Sequence, residues 1–180
     1  MNLFQRLYLA VENAILTYLV PRDHPGPVWR WFFKLPVVFY RAGLGWLIGR
    51  RVLLLHTIGR KTGKRWLTPL EYSYDAVTDT YTVMAGWGGK TDWYRNARAY
   101  PNVHVQVGRR VFSTLAEPVS QETVVQMMAE IVRVNPCVLR TFARWADGSV
   151  DGSFDSLRDV TIHFPVLSLH STGASEREDV

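Results

Sequence analysis

The sequence predicts an α+β chain built on a small antiparallel β-barrel with helices packed outside it. Three observations lead there. Residues 51–117 alternate β-rich runs with short turns, a single amphipathic helix interrupts that rhythm, and the segments on either side read as mainly helical. With 180 residues, 47% of them hydrophobic, the chain can bury one sizeable core. We therefore expect a single domain over residues 1–170, with an N-terminal helical extension to about residue 48 and a frayed polar tail over 171–180.

Winding residues 3–20 at about 100° per residue gathers Gln5, Arg6, Glu12, Asn13 and Thr17 into one sector, an amphipathic helix with a broad apolar face. Such a face could rest on a membrane surface. Glu12 and Asn13 interrupt the apolar run, so no secretory signal is expected there, and no run reaches the roughly 18–20 residues of a transmembrane helix. Three prolines, Pro21, Pro25 and Pro27, make a linker, because they lack N–H donors and restrict the residues before them. Two aromatic-rich segments follow, residues 28–35 and 37–48, separated by Pro36.

The strands come next. Arg51 to Ile58 is nearly all apolar and reads as a central strand, with Arg65 to Asp75 as its hairpin partner and Asp79 to Ala85 as a third strand. Asp92 is placed to cap a helix carrying Trp93, Tyr94, Ala97 and Ala99 that ends before Pro101. Val103–Val107 and Arg110–Glu117 form a second hairpin about Gly108-Arg109. Ser120 caps an amphipathic helix, another runs from Pro136 to Trp145, and Asp159 to Leu169 offers a last strand that Pro165 confines to an edge or a bulge.

A net charge of +5 and a pI near 9.6 suit an acidic ligand, an anionic membrane surface or nucleic acid alike. The basic residues gather in one turn rather than along a stripe with interleaved aromatics, so nucleic acid is not an expected partner. One cysteine, Cys137, excludes an internal disulfide and the usual zinc-site spacings; no metal is expected, and a reducing, cytoplasmic setting is.

Chemistry concentrates in two places. Gly59-Arg60-Lys61-Thr62-Gly63-Lys64-Arg65 is a glycine-bounded turn that can aim several N–H groups at one point while bringing positive charge to it. A phosphate or carboxylate chain would bind there, although the same residues also make an ordinary solvated hairpin tip. The glycine spacing is not that of a P-loop. Ala85-Gly86-Trp87-Gly88-Gly89 follows the third strand, and its small residues let a planar ring approach the backbone. Trp87 or Trp93 could stack on that ring or simply fill core space.

Together with Trp93-Tyr94-Arg95-Asn96 and Pro101-Asn102-Val103, these motifs resemble the deazaflavin-dependent nitroreductase family, in order and over Pro36 to Glu117. The resemblance implies a split β-barrel of the FMN-binding or pyridoxamine-phosphate-oxidase kind, binding coenzyme F-420, an 8-hydroxy-5-deazaflavin, and moving a hydride to a quinone, nitro compound or other conjugated small molecule. Carried over, Arg60, Lys61, Thr62 and Gly63, within the turn that Gly59 opens, would hold the phosphate and acidic tail. Thr57 and Pro69 would line the ring pocket, Ala85, Gly86, Trp87 and Gly88 would pass beside the ring, and Trp93, Tyr94 and Asn96 would close it. This chain departs from the family where a Lys-Asn-Pro element often precedes Trp-Tyr: it has Gly88-Gly89-Lys90-Thr91-Asp92 instead.

A deazaflavin carries the hydride itself, leaving the protein to position the ring, exclude water and supply a proton. His56 and Tyr94, with Tyr72 and His104, have the chemistry for that donor. Two alternatives use the same barrel: an FMN-binding reductase, and a non-catalytic carrier of fatty acid or other lipid. A homodimer would suit a split barrel of this kind, which commonly associates through its sheets, unless the N-terminal helices cover that surface.

Overall fold

The computed structural model describes residues 35–146 and 150–172. The expected helix over residues 3–20, the proline linker, nearly all of the aromatic segment 28–35 and the tail beyond residue 172 lie outside the described residues, as does the membrane contact assigned to that helix. The described chain falls into two compact units, a helical one within residues 120–164 and a barrel made of residues 35–119 and 165–172.

The barrel unit opens with α1 (Leu35–Arg41) and α2 (Gly45–Ile48). Pro36 lies inside α1 rather than before it, in the first turn where a missing N–H has no intrahelical acceptor to lose. Six strands follow: β1 (Val52–Ile58), β2 (Arg65–Asp75), β3 (Thr80–Met84), β4 (Asn102–Val107), β5 (Arg110–Pro118) and β6 (Val166–Ser171). They close as an antiparallel barrel in the order β1-β2-β3-β6-β5-β4, so every strand has two neighbours and none is an edge. Between β3 and β4 lies α3 (Asp92–Ala99).

Strand alternation fills the interior. Leu53 and Leu55 of β1 meet Val83 of β3, Val105 of β4, Phe112 of β5 and Leu169 of β6 in one buried cluster, and Trp93 and Ala97 of α3 join it. Because Trp93 and Ala97 are spaced i, i+4, they share one face of α3, which packs on β1 and β5.

The opposite end, where β1 begins, is closed by α1 and α2. The Tyr40 hydroxyl donates to the Val52 carbonyl at 2.6 Å and accepts from the Gly108 N–H at 3.3 Å, and the Tyr72 hydroxyl donates to the Gly49 carbonyl at 2.6 Å. Burial pushes both phenols above their ordinary range, the Gly108 amide pulling Tyr40 partly back, so both remain protonated donors. Glycine is required here by contact: a Cβ on Gly45 would stand 2.6 Å from the Tyr40 ring and 2.7 Å from the Gly108 carbonyl, and one on Gly49 2.5 Å from the Gly108 nitrogen.

The helical unit contains α4 (Gln121–Val134), α5 (Val138–Ala146) and α6 (Phe154–Thr161). Ser120 caps α4 as its spacing predicts, its hydroxyl accepting from the Thr123 N–H at 3.2 Å. α4 packs on α6. The Gln121 amide reaches the Thr161 hydroxyl at 3.1 Å, Glu122 pairs with Arg158 at 3.5 Å, and Phe142 lies 5.5 Å from Phe164.

Two readings of the sequence need correction. The strand expected over Asp159 to Leu169 begins only at Val166; Asp159, Val160 and Thr161 are the last turn of α6. Ser153 caps that helix through the Ser156 N–H, and Leu157, Val160 and Thr161 form a buried i, i+3, i+4 stripe that overrides the β-branched run. Pro165 accordingly sits just before β6, which runs inside the closed barrel and not at an edge. The cap of α3 is Thr91, and Asp92 is the first helical residue. Among the described residues, no helix is long and apolar enough to cross a membrane.

Gly45→Ala will force the Tyr40 ring or the Gly108 turn to move and cost about 1–3 kcal/mol, read as a lowered midpoint in thermal or urea unfolding. The Asp151 carboxylate accepts from the Ser156 hydroxyl at 2.6 Å and the Ser153 N–H at 2.9 Å, and these donors, the Ser156 hydroxyl first, hold its pKa at about 2. A depressed carboxylate stabilises the fold above its unfolded value and loses that contribution as pH falls through about 2. Asp151→Asn will therefore speed amide exchange in α6 at neutral pH, with the difference from the parent shrinking below pH 4.

Candidate cofactor site at one end of the barrel

The two stretches singled out in the sequence arrive at the same end of the barrel. β1 ends there and β2 begins, joined by the turn of residues 59–64; β3 ends there too and leads into a 3-10 turn at Trp87–Gly89 and then α3. Gly59 closes the basic turn from both sides, its N–H donating to the Lys64 carbonyl at 2.8 Å and its carbonyl accepting from the Gly63 N–H at 2.8 Å. A Cβ on Gly59 would stand 2.8 Å from the Thr62 hydroxyl and 3.0 Å from the Trp66 indole nitrogen, and Gly63 has φ +66°, a left-handed backbone that favours glycine.

Thr57 is the deepest of the expected site residues on β1. Alternation puts it on the face of Leu53 and Leu55, toward the barrel interior; it is 2% exposed, and its hydroxyl oxygen has no hydrogen-bond partner among the described residues. A buried hydroxyl left in that state costs about 1–3 kcal/mol, so a ligand that bonds to it recovers that cost. Directly across the hairpin, Trp66 pairs with Thr57 and Thr68 with Leu55, so Trp66 and Thr68 share this face. Trp66 is 52% exposed. Pro69 pairs with Leu54 and lies on the other face of the sheet from Thr57.

Arg60 links the turn to α3. Its guanidinium Nη1 donates to the Asn96 side-chain oxygen at 2.9 Å and to the Asp92 carboxylate at 3.0 Å, while its backbone N–H donates to the same Asn96 oxygen at 3.1 Å. Asn96 is buried and Asp92 is 84% exposed. Lys61, Thr62, Gly63 and Lys64 are exposed at the tip. The turn therefore presents positive charge to solvent and is not a free tip: a buried amide anchors it.

Beyond β3, the Ala85 N–H donates to the Pro165 carbonyl at 2.8 Å, and Gly88 and Gly89 take φ of +61° and +67°. A Cβ on Gly89 would stand 3.1 Å from the Tyr94 ring, so the glycine loop and α3 touch. The side chain of Trp87 lies outside the described residues. Trp93 is buried in the core cluster, with Tyr94 edge-on at 5.9 Å. The Tyr94 hydroxyl accepts from Arg98 at 3.4 Å.

Of the four residues with proton-donor chemistry, Tyr94 is the one that borders the glycine loop. His56 lies on the face of β1 opposite Thr57, paired across the ladder with His104, whose Nδ1 is 3.3 Å from the Ser113 hydroxyl. Tyr72 gives its hydroxyl to Gly49 at the far end. Trp66 and Thr68 were not singled out from sequence, though period-two alternation from Thr57 across the hairpin marks them; Asp92 was singled out as a helix cap and not as a site residue. Among the described residues, no group of three or more His, Cys, Asp or Glu could hold a metal.

Residues 37–149 match the family model described as F420H(2)-dependent quinone reductase. The chain belongs to that family. An F420H(2)-dependent quinone reductase of Mycobacterium tuberculosis strain H37Rv is 38% identical over 95 residues, covering 48% of this chain and 62% of the relative. The protein of that description in strain CDC 1551 matches with the same figures. The chain thus spans less than two thirds of these curated relatives' length. Among solved structures, an F420-H2 dependent reductase is 24% identical with a TM-score of 0.46, covering 67% of this chain and 95% of that one. The F420H(2)-dependent quinone reductase family is described by a deazaflavin and not by FMN, in keeping with the resemblance read from Gly-Arg-Lys-Thr-Gly and Trp-Tyr-Arg-Asn.

The Asn96 amide is the anchor on which this end depends. Asn96→Ala leaves the Arg60 backbone N–H without its acceptor and will cost about 1–3 kcal/mol, measured as a lower urea midpoint, with faster exchange of the amides of residues 60–64.

Proposed function

We propose that this chain binds coenzyme F-420 and uses its reduced form to reduce a quinone, with nitro compounds or other conjugated molecules as further acceptors. The observation that carries this reading is the buried Thr57 hydroxyl, without a hydrogen-bond partner among the described residues, at the foot of a cationic glycine turn and at the barrel end where the two motifs converge. The residues fit the group. Thr57 offers a hydroxyl to the ring, the Gly59–Gly63 turn with Arg60, Lys61 and Thr62 offers amides and charge to the phosphate and acidic tail, and Ala85, Gly86, Trp87 and Gly88 offer backbone to the ring edge. Trp93 sets the floor through the core, Asn96 holds Arg60, and Trp66 and Thr68 extend the wall beside Thr57.

When bound, the reduced deazaflavin supplies the hydride. The chain's own part is to bind the acidic tail, hold the ring, exclude water and deliver a proton. Tyr94 is the residue we assign to the proton: it borders the glycine loop, and its hydroxyl accepts from the Arg98 guanidinium at 3.4 Å, which leaves its own proton free to be donated. We assign no role to His56 or Pro69, which lie on the other face of the sheet from Thr57.

The test is equilibrium binding of oxidised F-420 and of FMN, followed by fluorescence at moderate salt, and then turnover of the reduced coenzyme with a soluble quinone. F-420 should bind at least tenfold more tightly than FMN, and Arg60→Ala with Lys61→Ala should abolish F-420 binding. Lys61→Ala alone removes one exposed charge and should weaken it by about three- to tenfold. Preference for FMN, or normal coenzyme binding by the double variant, overturns the assignment.

A further inference from the structure

Asp92 lies where this chain departs from the family's Lys-Asn-Pro pattern, and its carboxylate is 3.0 Å from Arg60 Nη1, a guanidinium we assign to the coenzyme's anionic groups. A carboxylate in that position either orients the arginine or competes with the incoming anion. Geometry decides between the two. Asn96 already orients Arg60 through two bonds, one to the guanidinium and one to the backbone N–H, from a buried amide fixed by α3. Asp92 adds a single bond from a side chain that is 84% exposed, and an ion pair so exposed contributes little to holding its partner still. Its negative charge persists whether or not it orients anything. Arg60, Lys61 and Lys64 stand in the turn, Arg65 opens β2, Lys90 precedes α3 and Arg95 lies one turn along it, and Asp92 is the carboxylate paired with Arg60.

We propose that Asp92 is a specificity-determining residue that weakens the cradle for polyanions, so that the coenzyme exchanges rather than staying bound. The proposal rests on the functional reading above and deepens it. A hydride donor used in stoichiometric amounts must leave oxidised and be replaced at every turnover, unlike a prosthetic group. A cradle of uncompensated basic residues would hold a phosphate and several carboxylates through each cycle. Asp92 gives the Arg60 guanidinium an internal anion to return to when the tail leaves, and it penalises ligands in proportion to their negative charge at this point.

The experiment compares the parent with Asp92→Asn, which keeps an acceptor oxygen for Arg60 while losing the charge, and with Asp92→Ala. Binding of oxidised F-420 is measured from about 20 mM to 1 M salt, with coenzyme dissociation followed by stopped flow. Asp92→Asn should bind about three- to tenfold more tightly at low salt, mostly through slower dissociation, and the gain should fade toward unity at 1 M as the charge is screened. Asp92→Ala should behave in the same way. Unchanged or weaker binding by Asp92→Asn at low salt, with the Arg60→Ala, Lys61→Ala double variant still failing to bind, overturns this proposal and leaves the coenzyme reading standing. Failure of the parent to bind F-420 at all overturns both.

Discussion

The site depends on one buried amide. Asn96 takes the Arg60 backbone N–H and guanidinium on a single oxygen, joining a hairpin tip to a helix 36 residues further along the chain. Hairpin tips are mobile by default, because their residues bury little and their amides can turn to water. Here the buried Asn96 oxygen would lose both its donors if the tip lifted, and leaving it unmet is costly enough to keep the tip down. The position of α3 is set in turn by Trp93 and Ala97, which share the cluster of Leu55 and Val105. Core packing in the barrel thus fixes where a surface arginine points.

That arrangement suits chemistry in which the cofactor does the electron work. No nucleophile needs a precisely oriented base, so the chain spends few polar side chains and many backbone positions on the site. Gly63, Gly88 and Gly89 sit in left-handed conformations, and Gly59 has no room for a Cβ. The result is a run of backbone amides and small residues beside a basic turn, which suits the flat anion proposed above.

Most of the fold was legible. The limits of β2 are those read from the sequence, Arg65 to Asp75, because a glycine-bounded turn and a β-rich alternating run agree there. The reading failed where local signals disagreed: Val160, Thr161 and Ile162 are β-branched, but the Ser153 cap and the spacing of Leu157 and Val160 place the first two in a helix. The site was legible as residue types and not as geometry. Arg60 and Asn96 were both singled out, yet their bond depends on the docking of α3, which no local pattern encodes. Asp92 has the chemistry of a cap, and only the structure shows that Thr91 holds that position and that the carboxylate turns to Arg60. His56 and Thr57 are neighbours in sequence and opposite in direction, and separating them requires knowing which face of β1 is the interior.

The two ends of the barrel differ in how much sequence change they can absorb. Where β1 begins, backbone meets backbone at Gly45, Gly49 and Gly108, and Tyr40 and Tyr72 spend their hydroxyls on main-chain carbonyls. The Tyr40 ring is the one side chain among the glycine contacts named here, and its hydroxyl is committed to the Val52 carbonyl, so little can be exchanged to relieve a change there. Where β1 ends, loops and exposed side chains form the rim, and residues such as Trp66, Lys61 and Asp92 can be replaced without moving the backbone. Diversification of such a chain is therefore channelled to one pole: the closed end acts as an immobile root, and new side chains can be tried at the other without renegotiating the fold.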